Sequence, residues 1–180
     1  MKLGHVLVTG GAGFIGSQLV SRLLPFAEKI SIVDDLSTGV LEAIPNEHKV
    51  NFYQDSILNE ELLASMMPEI DLVFHVACRN LVKSMDDIKA DMKTNLLGAL
   101  AVLEQAKENG TKLKRIVYTS TALFMEMPDS FRRKNGKSKL QLRMQRVSFR
   151  QNSIFTFFTK CIGCRCRSFA SPTCMGQVNW

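Results

Sequence analysis

The residues of this chain best suited to chemistry come early, in Thr9-Gly10-Gly11-Ala12-Gly13-Phe14-Ile15-Gly16, directly after the apolar run Val6-Leu7-Val8. Beyond them Ile15, Leu19, Val20, Leu23 and Leu24 recur at helical spacing. A strand that feeds a glycine-rich turn and then opens a helix is an anion site, because first-turn N–H groups have no partner within the helix. Gly10 and Gly11 allow the tight turn, Gly13 lets a diphosphate approach the backbone, and Gly16 lets the helix lie close on the strand. Glycines also mark ordinary turns, and the pattern alone does not separate the two readings.

A second apolar run, Ile30-Ser31-Ile32-Val33, ends in Asp34-Asp35. A carboxylate at the tip of a second strand accepts hydrogen bonds from the hydroxyls of an adenosine ribose. It also repels a 2′-phosphate, and no Arg or Lys lies between Asp35 and Thr38 to offset that. The pattern therefore favours NAD over NADP. The alternative for Asp34 is a solvated acid opening a turn.

These residues need a scaffold that brings strand ends together. Strand-like runs occur at 5–9, 30–34, 50–54, 71–76 and 113–119, with helical patterns at 14–24, near 40–44, at 59–66 and over 86–108. In the last helix Ile88, Met92, Leu96, Ala99, Leu100, Leu103 and Ala106 are expected to form one apolar face. Near-continuous apolar strands alternating with helices predict a parallel sheet covered on both sides, with ligands at the strand C-termini by the topological switch point.

Taken in order, these motifs resemble the cofactor half of the extended short-chain dehydrogenases. This is the NAD-dependent epimerase/dehydratase family, UDP-glucose 4-epimerase-like, which acts on nucleotide sugars; the resemblance covers residues 3–124. It implies that Gly10, Gly13, Phe14, Ile15 and Gly16 meet the cofactor and that Asp34 holds its ribose. Asp55-Ser56-Ile57 resembles the segment that meets the adenine ring; read without the family, Asp55 is a good turn or helix-opening residue. His75-Val76-Ala77-Cys78 resembles the family's His-x-Ala-Ala, and the resemblance implies that the backbone of Val76 and Ala77 lines the phosphates and nicotinamide ribose. His75 itself reads as a packed structural histidine. Asn95-Leu96-Leu97-Gly98 resembles an Asn-x-x-Gly motif, implying a structural or cofactor-proximal bond from Asn95 and close packing of Gly98 on the sheet. Along Ile116–Ala122 the resemblance implies that Thr119 lies beside the cofactor and that Thr121 falls where the family's catalytic Ser/Thr would be.

After Phe124 the motif-by-motif resemblance ends. The family's Tyr-x-x-x-Lys is missing: Tyr53 and Tyr118 are followed four residues later by Ile57 and Ala122. A general base accounts for about 10²–10⁴ in rate, so the chain as it stands is expected to be catalytically incomplete. No later segment is long enough for a substrate lobe. The uncovered surface is expected to be apolar, and association of the chain is compatible with it.

Charge marks the same change. The net charge of +6 averages two unlike parts. Residues 1–129 hold 12 Lys/Arg against all 17 Asp/Glu, a net of −5, whereas 130–180 hold 11 Lys/Arg and no acid, a net of +11. Three readings of that tail stand side by side. One is a sequence not evolved for this fold, as after a frameshift or an alternative exon. Another is a basic extension drawn to nucleic acid. The third is a zinc site on Cys161, Cys164, Cys166 and Cys174, spaced C-x₂-C-x-C-x₇-C, against which stands the reading of four incidental thiols. No apolar run reaches membrane-spanning length, and the N-terminus runs straight into a strand, so a cytoplasmic location is expected.

The sequence thus predicts an α/β, Rossmann-like, doubly wound parallel sheet of about five strands, truncated, over residues 1–125, and an irregular basic tail over 126–180. NAD is the expected cofactor. A nucleotide sugar is the expected substrate only in full-length relatives, and neither a membrane nor nucleic acid is the expected partner.

Overall fold

In a computed structural model that describes residues 2–79 and 86–119, five strands line up in the order β3-β2-β1-β4-β5, all parallel. In chain order these are β1 (His5–Thr9), β2 (Lys29–Asp34), β3 (Val50–Gln54), β4 (Leu72–His75) and β5 (Arg115–Tyr118). Helix α1 (Phe14–Leu23) joins β1 to β2, and a single 3₁₀ turn, Leu41–Ala43, precedes β3. Helix α2 (Glu60–Met66), extended by a 3₁₀ turn at Met67–Glu69, leads to β4. Before β5 come α3 (Ile88–Met92), a π-helical stretch (Lys93–Gly98) and α4 (Ala99–Asn109). All of these elements lie in one compact unit, Met1–Thr119. The expected doubly wound sheet is what the chain forms.

Burial on both faces explains why the strands read as apolar runs. On one face Val6, Val8, Ile30 and Ile32 pack with Val20 and Leu23 of α1 and with Ala27. Each such Val, Leu or Ile side chain contributes about 1.5–3 kcal/mol relative to exposure, enough to select this face of the strand over any local preference. Leu7, Val33 and Val73, of opposite parity on their strands, are fully buried toward the other face. Buried Ser31 breaks the apolar run of β2, and its hydroxyl is partnered by His5 Nε2 at 2.9 Å.

The long helix departs from expectation. Ile88 and Met92 are exposed, as is Leu97, while Asp91, Gly98, Ala101, Val102 and Gln105 are buried along with Ala99, Leu103 and Ala106. The cause is the π-helical stretch. Hydrogen bonds to the fifth rather than the fourth residue accommodate an additional residue, so the face that α3 turns inward is not the one an unbroken 3.6-residue period assigns.

Candidate functional site

Parallel register brings the C-terminal ends of all five strands to one edge. Thr9 lies beside Val33 on one side and His75 on the other, His75 lies beside Tyr118, and Asp34 beside Gln54. Connections leave β1 toward β2 on one side, and β3 crosses back to β4 on the other. The switch point is therefore between β1 and β4.

Gly10 turns the chain there with φ +73°, a left-handed conformation costly for residues with a side chain. A Cβ on it would lie 2.6 Å from both Cα and N of Ala77, so the two loops at the switch point touch backbone to backbone. A Cβ on Gly16 would run into the Gly10 carbonyl oxygen and lie 2.7 Å from Gly11 Cα. At Gly16 the start of the helix therefore lies directly on the glycine turn that ends β1, while Val20 and Leu23 further along pack on the strand itself.

Gly13 is unlike these. Its φ −76° and ψ 172° suit any residue, and the nearest atom to an added Cβ is Gly10 O, at 3.4 Å. Neither conformation nor internal packing requires a glycine. What its missing side chain leaves is room over the first turn of α1. That turn carries no side-chain cap and no acid, whereas Asn59 caps α2 through Leu62 N–H and Asp87 caps α3 through Ala90 N–H. Phe14, 89% exposed, and Ile15, 62% exposed, flank the same opening.

Asp34 is buried, so it is not a solvated acid, although it does open the turn that follows it. Its Oδ2 accepts from Ala12 N–H and its Oδ1 from Leu36 N–H, each at 2.9 Å. A carboxylate offers about four acceptor sites, so capacity remains for a ligand's hydroxyls. The bond to Leu36 helps hold that residue at φ +57°, a conformation that costs an L-residue roughly 1–2 kcal/mol. The solvated acid of the pair is Asp35, which accepts from Ser37 N–H at 2.8 Å.

Asp55 is bound up in the start of α2: Oδ1 accepts from Ser56 N–H and Oδ2 from the Asn59 amide, both at 2.7 Å. Asn59 in turn accepts from Leu62 N–H at 3.1 Å. Ser56 Oγ accepts from Leu58 N–H at 3.2 Å. Ile57 is buried, and a Cβ on Gly98 would collide with its side chain. Gly98 thus makes room for Ile57 and not, as expected, for the sheet.

His75 is fully enclosed. Its Nδ1 lies 2.7 Å from Thr9 Oγ1 and its ring stacks on Tyr118 with centroids 5.3 Å apart. Burial lowers its pKa to about 4, so the imidazole is neutral near pH 7 and fits the structural role expected of it. Burial also pushes the Tyr118 phenol upward, with the nearby Cys78 thiol adding to the shift, away from the range of a working base. Val76 N–H donates to Thr9 O at 3.1 Å, and Ala77 N–H to Thr9 Oγ1 at 3.5 Å. Thr119 donates to the His75 carbonyl from both its N–H and its hydroxyl, each at 3.2 Å.

Asn95 holds both backbone groups of Arg79: Oδ1 accepts from Arg79 N–H at 2.6 Å and Nδ2 donates to Arg79 O at 3.1 Å. Nδ2 also donates to Asp91 Oδ1. Asp91 escaped the sequence reading. Its one signal there is its position four residues before Asn95, on the same side of a helix. Thr121 and the four-cysteine set lie outside the described residues. Among the described residues no cluster of three metal-ligating side chains occurs, and no helix is long and apolar enough to cross a membrane.

Comparison with known proteins agrees with this geometry. Residues 6–143 match the NAD dependent epimerase/dehydratase family, a match that runs past Phe124. The chain is 38% identical over 124 residues to UDP-glucose 4-epimerase of Mycolicibacterium smegmatis, covering 65% of this chain and 38% of that protein. It is 33% identical over 123 residues to UDP-glucuronic acid decarboxylase 4 of Arabidopsis thaliana, covering 67% and 26%. The chain thus spans well under half the length of these relatives. Among solved structures, the Bordetella bronchiseptica enzyme WbmF in complex with NAD+ superposes with TM-score 0.74 at 30% identity, over 91% of this chain and 48% of that one. UDP-glucose 4-epimerase of Thermotoga maritima with UDP-glucose does so with TM-score 0.72 at 28% identity, over 89% and 52%. With the glycine turn at the switch point, the buried acid on β2 and a family match over most of its length, this chain belongs to the NAD dependent epimerase/dehydratase family.

Proposed function

We propose that this chain is the NAD-binding part of a nucleotide-sugar epimerase or dehydratase, with residues 1–125 as the dinucleotide-binding domain. The observation that carries the reading is Gly13, a glycine the chain does not need for itself, over an uncapped helix start at the switch point. A diphosphate suits that opening, because helix N-termini favour negative charge and offer N–H donors. Gly10 and Gly16 keep the turn closed enough to present them, and Phe14 and Ile15 border the space. Asp34 is the group for the adenosine ribose, and its charge selects NAD over a 2′-phosphorylated dinucleotide. Asp55, Ser56 and Ile57 would border the adenine, while Val76, Ala77, Asn95 and Thr119 border the nicotinamide half. When bound, NAD supplies a hydride acceptor.

As it stands the chain lacks the Tyr-x-x-x-Lys that its family uses for proton transfer, and by the same resemblance Thr121 falls where the family's catalytic Ser/Thr would be. We read it as a binding module without sugar turnover, the nucleotide sugar being a substrate of full-length relatives. Calorimetric titration with NAD⁺, NADH and NADP⁺ tests the binding. Heat with the first two and not the third is expected, and no heat with any would end the reading. Incubation with UDP-galactose, UDP-glucose and dTDP-glucose tests the second part, since turnover above background would show an active enzyme.

A further inference from the structure

We propose that Asp91 is a positioning residue: through Asn95 it fixes the segment Val76–Arg79, which crosses the switch point, and so governs how tightly the nicotinamide half of a dinucleotide is held. This rests on the NAD-binding reading above. A buried carboxylate is costly unless it is hydrogen-bonded, and Asp91 is only 8% exposed. Its Oδ1 takes one N–H of the Asn95 amide, while the other N–H goes to Arg79 O and the amide oxygen receives Arg79 N–H. The amide's groups are thus all committed, and the charge-assisted bond it donates to Asp91 holds its plane. At its other end the segment is tied to β1 by Val76 N–H to Thr9 O and Ala77 N–H to Thr9 Oγ1. Between these ties it lies against Gly10. Four residues are therefore pinned at both ends beside the glycine turn, and the far pin hangs on Asp91. The π-helical stretch begins at Lys93, between Asp91 and Asn95, a departure from α geometry often found where a helix serves a site.

A purely structural Asp91 would weaken all ligands alike; a positioning one would not. The test uses the full chain, with Asp91→Ala and Asp91→Asn titrated calorimetrically with NAD⁺ and with ADP, which has adenosine and diphosphate but no nicotinamide nucleoside. Loss of a hydrogen bond to a charged group predicts about tenfold weaker NAD⁺ binding by Asp91→Ala, with ADP affinity kept within about twofold. Asp91→Asn still offers Asn95 an acceptor and should recover NAD⁺ affinity to within about threefold of wild type. Equal losses for both ligands, no loss for either, or an Asp91→Asn as weak as Asp91→Ala would each overturn the proposal. Should Asp91→Ala not fold, Asp91→Ser replaces it with the same expected split. A wild-type chain that binds neither ligand would instead overturn the NAD-binding reading itself, and this inference with it.

Discussion

The two edges of the sheet use the same residue types to different ends. At the N-terminal edge Gly4, at φ +48°, has no room for a side chain because a Cβ would strike the Asp71 carboxylate. Asp71 accepts from His5 N–H at 2.9 Å through Oδ2 and pairs with Lys114 Nζ at 2.8 Å through Oδ1. Its backbone joins the same strands, donating to His5 O and accepting from Lys114 N–H, both at 2.8 Å. Here each special residue is explained by another residue of the chain. At the C-terminal edge Gly10 and Gly16 are explained in that way, but Gly13 and the uncapped start of α1 are not. A glycine or a buried acid becomes a sign of ligand binding only after the chain's own demands on it have been counted. By that measure Asp34 is both: it holds Ala12 and Leu36 in place and keeps acceptors to spare.

Substitutions at each edge would sharpen the contrast. Gly10→Ala should be the most damaging, since it adds left-handed strain to a collision with Ala77 backbone; denaturant unfolding should show a loss of about 3 kcal/mol or more. Gly13→Val should separate the two kinds of glycine. Filling the space should weaken NAD⁺ binding about 100-fold, near 2.7 kcal/mol, while the exchange of a glycine N-cap for Val costs only about 1 kcal/mol of stability. A Gly13→Val chain that unfolds as readily as Gly10→Ala would erase the distinction. At the opposite edge Asp71→Ala leaves His5 N–H without its acceptor and should cost about 1–3 kcal/mol of stability with NAD⁺ affinity unchanged. Asp34→Ala should fail on both counts, which makes it a poor probe of binding alone.

The smallest effect concerns pH. Buried His75 stays neutral down to about pH 4, whereas in the unfolded chain it takes up a proton near 6.5. Stability from this group is therefore present above pH 6.5 and declines as pH falls from 6.5 to about 4. Unfolding free energies of wild type and His75→Gln, compared across that window, should converge as pH drops. His5, lowered chiefly by burial, acts in the same direction in both proteins and cancels in the difference. Asp71 adds a lower window. The hydrogen bond from Lys114, then that from His5 N–H, holds its carboxyl below the usual range, so its contribution is full above about pH 4 and is lost on further acidification.

Sequence alone determined whatever is local in the chain. The five strands, the helices between them, the glycine turn and Asp34 rest on continuous apolar runs, on a period of 3.6 and on fixed short spacings. The absence of Tyr-x-x-x-Lys is equally a matter of spacing, read directly from Tyr53 and Tyr118. Only the tertiary structure decided what each of these residues touches. That Gly98 receives Ile57, that Asn95 grips Arg79, that Asp91 is buried and that Gly13 alone among the turn's glycines faces open space could not be read from spacing. The apolar face of the long helix was misread for a related reason, because a π-helical stretch leaves no mark in a hydrophobic period. For the long-range contacts the physical cause is the same. Side chains from residues tens of positions apart meet only once parallel pairing has brought the ends of β1 and β4 together, and no short-range pattern encodes which neighbour waits there.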